Sequence, residues 1–199
     1  VPSACNNHFP MLTFLRDEYE GDVHISTGMT TKEEIEDVVK FFENGKNGNQ
    51  AKGRLVMYNC TSGYPVPFPD VCMLEINRLN ELYTDRIKEI AFSGHHLGIA
   101  IDIAAYTLGA KWIERHFTKD RTWKGAPLSP APSRGAPPRT PPLPALLSAG
   151  TDHAASLEPA GLGKMCRDLV ATHEALTLKP SDILEIETEQ RNKLKYRKQ

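Results

Sequence analysis

Residues 91–118, AFSGHHLGIAIDIAAYTLGAKWIERHFT, read as one parallel strand, helix and strand. Ile90, Ala91 and Phe92 form the short apolar run of a buried strand, and Ser93, Gly94, His95 and His96 form its polar end. An apolar helix with Ala100, Ala104 and Ala105 along one face follows, then Gly109 and a second strand, Lys111 to Phe117, which carries His116 near its end. A crossover of this length joins parallel neighbours and is nearly always right-handed. Both histidines therefore fall at the carboxyl ends of adjacent strands, the face on which α/β barrels carry their chemistry. Two imidazoles so placed either share a divalent cation, leaving positions open for a substrate oxygen, or act as hydrogen-bonded structural residues. Spacing alone leaves both readings open. His96 reads as a supporting or surface residue.

Working outward, the same pattern recurs upstream. Val1 to Cys5 reads as the tail of a strand, and Pro10 to Tyr19, with Met11, Leu12, Phe14 and Leu15, as a short amphipathic helix. Val23 to Ile25 is a strand ending in Ser26, Thr27, Gly28 and Met29. Thr31 with Glu34 three residues on predicts a reciprocal capping box, and Ile35, Val38, Val39 and Phe42 give the helix behind it a buried stripe. Asn44 to Gly53 reads as a surface loop. Arg54 to Asn59 supplies the next strand, its end polar and stiffened by proline (Cys60, Thr61, Ser62, Gly63, Tyr64, Pro65), which suits it to holding a ligand. A helix over 70–84 with Val71, Leu74, Ile76, Leu79 and Leu82 facing inward completes the repeat. About five strand and helix units of one kind predict part of a TIM (β/α)8 barrel. An open doubly wound sheet is the alternative, without the glycine-rich phosphate loop of a dinucleotide binder.

Composition narrows the function classes. The 199 residues fit one domain with a real core, and 24 basic against 25 acidic residues argue against a nucleic-acid or membrane-surface binder. No apolar run approaches the ~20 residues of a membrane span, and no charged-then-apolar leader is present. Cys5, Cys60, Cys72 and Cys166 are scattered and read as reduced thiols, which together suggests a cytoplasmic protein. From 126 to 150 the chain holds eight of its fifteen prolines and no acidic residue, composition that predicts a disordered, proline-rich insertion. The expected organisation is therefore a partial barrel over 1–125, the insertion over 126–150, a closing loop and helix over 151–180, and a polar tail over 181–199.

Six stretches in order, PSACNNHFP (2–10), STGM (26–29), NCTSGYPVP (59–67), FSGHHLGIAI (92–101), GAKWIERHFTKDRTWKG (109–125) and TDHAASLEP (151–159), together resemble the sialic acid synthase family. These enzymes make N-acetylneuraminate or its 9-phosphate from phosphoenolpyruvate (PEP) and N-acetylmannosamine or its 6-phosphate. The resemblance implies a TIM barrel of which this chain holds the C-terminal part, and an insertion interrupting a substrate loop. It implies that His95 and His116 are catalytic and bind a divalent metal, Mn2+ or Mg2+. It further implies that Ser3, Ser62 and Ser93 contact PEP, and that Tyr64 and Asp152 hold the sugar. Cys5 stands where some members place a substrate-binding glutamate, and the lysines that would balance the charge of PEP are not among the matched positions, so weak PEP binding by this chain alone is expected. A homodimer is compatible with the family. The competing functional reading is a non-catalytic interaction protein that offers its proline-rich segment to a partner. A metal-dependent hydrolase built on His95 and His116 ranks last for want of a third ligand at the usual spacing. Two open sheet edges are expected, at Val1 to Ala4 and at Trp112 to Phe117, each an invitation to pair with another chain.

Overall fold

The computed structural model describes residues 1–122 and 152–196; the expected insertion over 126–150 lies outside the described residues. Among these, four strands, β1 (Val23–Ser26), β2 (Leu55–Cys60), β3 (Glu89–Gly94) and β4 (Ile113–Arg115), form one sheet in sequence order with every neighbouring pair parallel. The helices are α1 (Phe9–Asp17), α2 (Lys32–Glu43), α3 (Ala51–Arg54), α4 (Glu75–Tyr83), α5 (Ala100–Thr107), α6 (Asp152–Ala155), α7 (Pro159–Ala175) and α8 (Glu185–Leu194). The architecture is α/β, four parallel strands in a half-barrel.

Strand parity divides the sheet into two faces. Val23, Ile25, Leu55, Met57, Ile90 and Phe92 point to the helices and join Leu12, Ile35, Val39, Phe42, Ile76 and Leu79 in one core. On the opposite face Val56, Tyr58 and Ala91 form a smaller buried cluster, with the His24 imidazole bonded to the Tyr58 hydroxyl at 2.8 Å. Helix α2 starts where expected: Thr31 Oγ1 accepts from the Glu34 amide at 3.2 Å while Glu34 accepts from the Thr31 amide at 2.8 Å. Its Ile35, Val38, Val39 and Phe42 are all buried, as the 3.6-residue period requires.

Several expectations change. Only four strands are seen among the described residues: Val1 donates to the His24 carbonyl at 2.6 Å and accepts from the Ser26 amide at 3.1 Å, but Ser3–Cys5 then turns as a 3-10 helix, so Val1 to Cys5 lines the β1 edge without becoming a strand. The expected 70–84 helix is split. Pro67 precedes a 3-10 turn, Phe68–Val71, that holds Pro69, and Cys72 breaks the chain in the left-handed region (φ 51°) before α4 begins. In α4 the buried stripe is Ile76, Leu79 and Tyr83, while Leu74 and Leu82 are exposed. At 100° per residue those two lie roughly 170° and 90° from the centre of that stripe. The loop over 44–53 closes on the short helix α3, whose Ala51 is buried. The β4 edge is partly covered, because Phe117 pairs in parallel with Leu157. No helix among the described residues is long and apolar enough to cross a membrane.

Candidate active site

The β3–β4 register pairs Gly94 with Arg115, and one further step sets His95 beside His116. Alternation puts Ser93 and His95 on the same face as Glu114 and His116, away from the helices. The two imidazole centroids are 5.0 Å apart, and the Tyr64 ring, from the turn after β2, completes the group at 4.4 Å from His95 and 5.6 Å from His116. These rings line a cavity of about 320 Å³ that also takes in Ser3, Ser26, Met29, Cys60, Ser62, Ser93 and Glu114. Six of the seven expected site residues, Ser3, Ser62, Tyr64, Ser93, His95 and His116, thus meet at one strand-end cavity. The seventh, Asp152, opens α6, and its side chain lies outside what the structure describes. Cys5 is exposed and does not line this cavity.

Close approach of three loops builds the serine wall. Ser3 Oγ accepts from the Gly28 amide at 3.0 Å and lies 3.7 Å from Cys60 Sγ. A Cβ at position 28 would stand 2.3 Å from Ser62 Oγ and 2.7 Å from Ser3 Oγ, so glycine is what lets the two hydroxyls converge.

His95 is held in one orientation. Its Nδ1 lies 2.9 Å from the Thr61 carbonyl, which can only accept, so Nδ1 carries the proton and Nε2 keeps its lone pair. Burial would lower the His95 pKa, but hydrogen bonding to Cys60 and to the Thr61 carbonyl outweighs it and the net shift is upward. The Cys60 thiol moves the opposite way: burial pushes it up, while hydrogen bonds with His95 and Ser3 pull it below its ordinary value. A ring oriented by a backbone carbonyl on Nδ1, with its other nitrogen directed to a thiol rather than to a second carbonyl, is an arrangement that a metal-ligating histidine also uses. Among the described residues no group of three or more His, Cys, Asp or Glu is placed to hold an ion.

Of the lining residues, Glu114 was given no role from the sequence, and Cys60 only a place on the polar strand end suited to holding a ligand. Parity was the available signal: Glu114 stands two before His116, and Cys60 two before Ser62 and two after Tyr58. His96 is not a surface residue. It is fully buried on the opposite side of the strand end, beside Asp102 and Arg115, because parity turns it toward the helices. A larger groove of about 560 Å³ adjoins the cavity across Met29, Cys60 and Ser62, and carries Lys32 and Arg78, the latter bonded to Glu75.

A family model described as the NeuB family matches residues 1–131. Over 176 residues the chain is 32% identical to N-acetylneuraminate-9-phosphate synthase of Homo sapiens, an alignment covering 88% of this chain and 40% of that protein. It is 30% identical over 176 residues to N,N'-diacetyllegionaminic acid synthase of Campylobacter jejuni, covering 88% and 43%. A solved N-acetylneuraminic acid (sialic acid) synthetase from Leptospira borgpetersenii superposes with a TM-score of 0.68 over 99% of this chain and 58% of its own, at 24% identity, a likeness of fold. The chain spans about two-fifths of the length of these curated relatives.

Proposed function

The chain belongs to the NeuB family, and from that premise we propose that its cavity serves a PEP-dependent condensation. The acceptor is N-acetylmannosamine or its 6-phosphate, and the products are N-acetylneuraminate or its 9-phosphate and inorganic phosphate. The sheet is then one part of an eightfold barrel. The carrying observation is the convergence of His95, His116 and Tyr64 with three serines on one strand-end cavity.

In this reaction carbon 3 of PEP bonds to the aldehyde carbon of the open-chain sugar, water adds at carbon 2, and the tetrahedral product expels phosphate. Ser3, Ser62 and Ser93 present hydroxyls that can donate to the carboxylate and phosphate oxygens of PEP. Tyr64 and Asp152 hold the sugar. His95, oriented by the Thr61 carbonyl, and the neighbouring His116 supply imidazole nitrogens of the kind that hold a divalent ion, Mn2+ or Mg2+. When bound, such an ion supplies positive charge to the oxygen that becomes anionic as the carbon–carbon bond forms.

No Lys or Arg is among the described residues lining the cavity, which supports weak binding of a trianionic substrate and an impaired activity for this chain alone. The test is phosphate release with PEP, N-acetylmannosamine and Mn2+, by the chain alone and by the chain completed with the N-terminal portion of a relative. Release by the completed protein that disappears in His95→Ala and His116→Ala supports the proposal. A completed, folded protein that forms neither phosphate nor a nonulosonic acid refutes it. The interaction-protein reading rests on 126–150, and no observation among the described residues favours it.

A further inference from the structure

Behind the cavity, on the helix side of the same strand ends, lies a buried ionic cluster that the proposed chemistry does not use. Arg115 Nη1 meets Asp102 Oδ2 at 2.5 Å and the Gly98 carbonyl at 2.9 Å, and lies 3.1 Å from His96 Nε2. Its Nη2 donates to the His96 carbonyl at 2.7 Å and to the Ala155 carbonyl at 3.2 Å. The side chains of His96 and Asp102 are fully buried and that of Arg115 is 2% exposed. Gly94 leaves room for this arrangement, since a Cβ there would meet His96 Cε1 at 2.8 Å.

As a device for stability the cluster is poor. Three of its buried atoms, His96 Nδ1, Asp102 Oδ1 and Arg115 Nε, lack hydrogen-bond partners, and apolar side chains of similar volume generally serve a core as well as a buried ion pair. What one guanidinium does supply is a rigid fork that fixes several carbonyls at once. Those carbonyls are well chosen. His96 and Gly98 belong to the turn that leaves His95, Ala155 ends the helix that Asp152 begins, and Arg115 itself directly precedes His116.

We infer that Arg115, seated by Asp102, is a positioning residue that locks the β3 and β4 ends and helix α6 together and thereby fixes the orientation of His95 toward His116. The inference deepens the proposed function, since it gives that pair its purpose, but it is testable with no ligand present.

The readout is the tautomer of His95 in long-range 1H–15N imidazole spectra of the full chain, together with hydrogen exchange at its Nδ1. The wild type shows one tautomer, protonated at Nδ1. Arg115→Lys keeps the charge against Asp102 but replaces the fork by a single nitrogen; His95 then averages between tautomers and Nδ1 exchange quickens by about tenfold or more. Asp102→Asn keeps the shape, frees the guanidinium, and moves His95 in the same direction by less. Ile76→Val, which loosens the apolar core, leaves the His95 signal unchanged; a His95 signal that moves as far in Ile76→Val as in Arg115→Lys would reduce the effect to general loosening and overturn the inference. A folded Arg115→Lys protein with the wild-type tautomer and exchange overturns the inference; if that variant does not fold, an unchanged His95 in Asp102→Asn overturns it equally. Absence of Mn2+ binding by a wild type whose His95 tautomer is fixed counts against the proposed function and leaves this inference standing.

Discussion

Replacing Gly28 by alanine should damage the cavity wall without disturbing the fold around it. Gly28 is outside the left-handed region, so alanine meets no backbone strain and the added methyl acts through contacts alone. Against an ordinary contact of 3.4 Å, the Ser62 and Ser3 hydroxyls at 2.3 and 2.7 Å must retreat by about 1.1 and 0.7 Å. That retreat breaks the 3.0 Å bond from the residue 28 amide to Ser3 Oγ. A lost hydrogen bond costs about 1 kcal/mol and a modest overpacking about 1 kcal/mol more, while the stiffer unfolded chain returns roughly 0.5 kcal/mol. The net expectation is a loss of about 1–2 kcal/mol in urea unfolding, with the residue 28 amide exchanging about fivefold faster in the native state. Adding Ser62→Ala removes the nearer clash and should recover about half of the loss, a coupling expected only of groups in contact. Unchanged unfolding and unchanged amide exchange in Gly28→Ala would show that the three loops do not converge as described.

Phe42 is fully buried in the core, and Phe42→Ala should cost about 3–5 kcal/mol in urea unfolding; a cost under about 1 kcal/mol would mean that α2 is not packed on the sheet. The Arg86 guanidinium bonds both Glu36 and Glu43 at 2.8–3.0 Å and holds both carboxyls below their ordinary pKa. A carboxyl depressed in the folded state stabilises it above the unfolded pKa and loses that effect as pH falls through the folded one. Arg86→Met should therefore be less stable than wild type by about 1 kcal/mol near neutrality, with the gap in urea midpoint closing below the ordinary carboxylate range; a gap that persists into strong acid would contradict the assignment. Because Cys60 shares the cavity with His95, Mn2+ should slow alkylation of Cys60 and leave the exposed Cys166 unaffected, read by peptide mass spectrometry; equal labelling with and without the ion would count against a site at the histidines.

What could be read in advance was what short-range rules govern. The capping box at Thr31 and Glu34, the stripe through Ile35 and Phe42, and the strand and crossover pattern around His95 and His116 each depend on residues a few positions apart, and all stand. The misreadings involve partners outside the local window or a backbone break that resets it. His96 was left between a supporting and a surface role because nothing adjoining it announces the Asp102 and Arg115 side chains beside which it is buried. Leu74 and Leu82 are apolar by composition, but the break at Cys72 resets the helix and turns them to solvent. Glu114 and Cys60 were within reach of the alternation rule and lie inside the matched stretches, but the resemblance assigned them no role. Gly28 matters through Ser3 and Ser62, and no local pattern foretells that three separate loops will touch there.

The pairing of Phe117 with Leu157 has a consequence of its own. The Leu157 amide donates to the His116 carbonyl at 2.8 Å and its carbonyl accepts from the Thr118 amide at 3.0 Å, so the two ends of the intervening connection are buttoned together at the rim of the sheet. A seam of this kind lets a gene lengthen or trim what passes between its two sides while the histidine pair is carried along unaltered, which makes it the natural place to graft foreign sequence onto this scaffold.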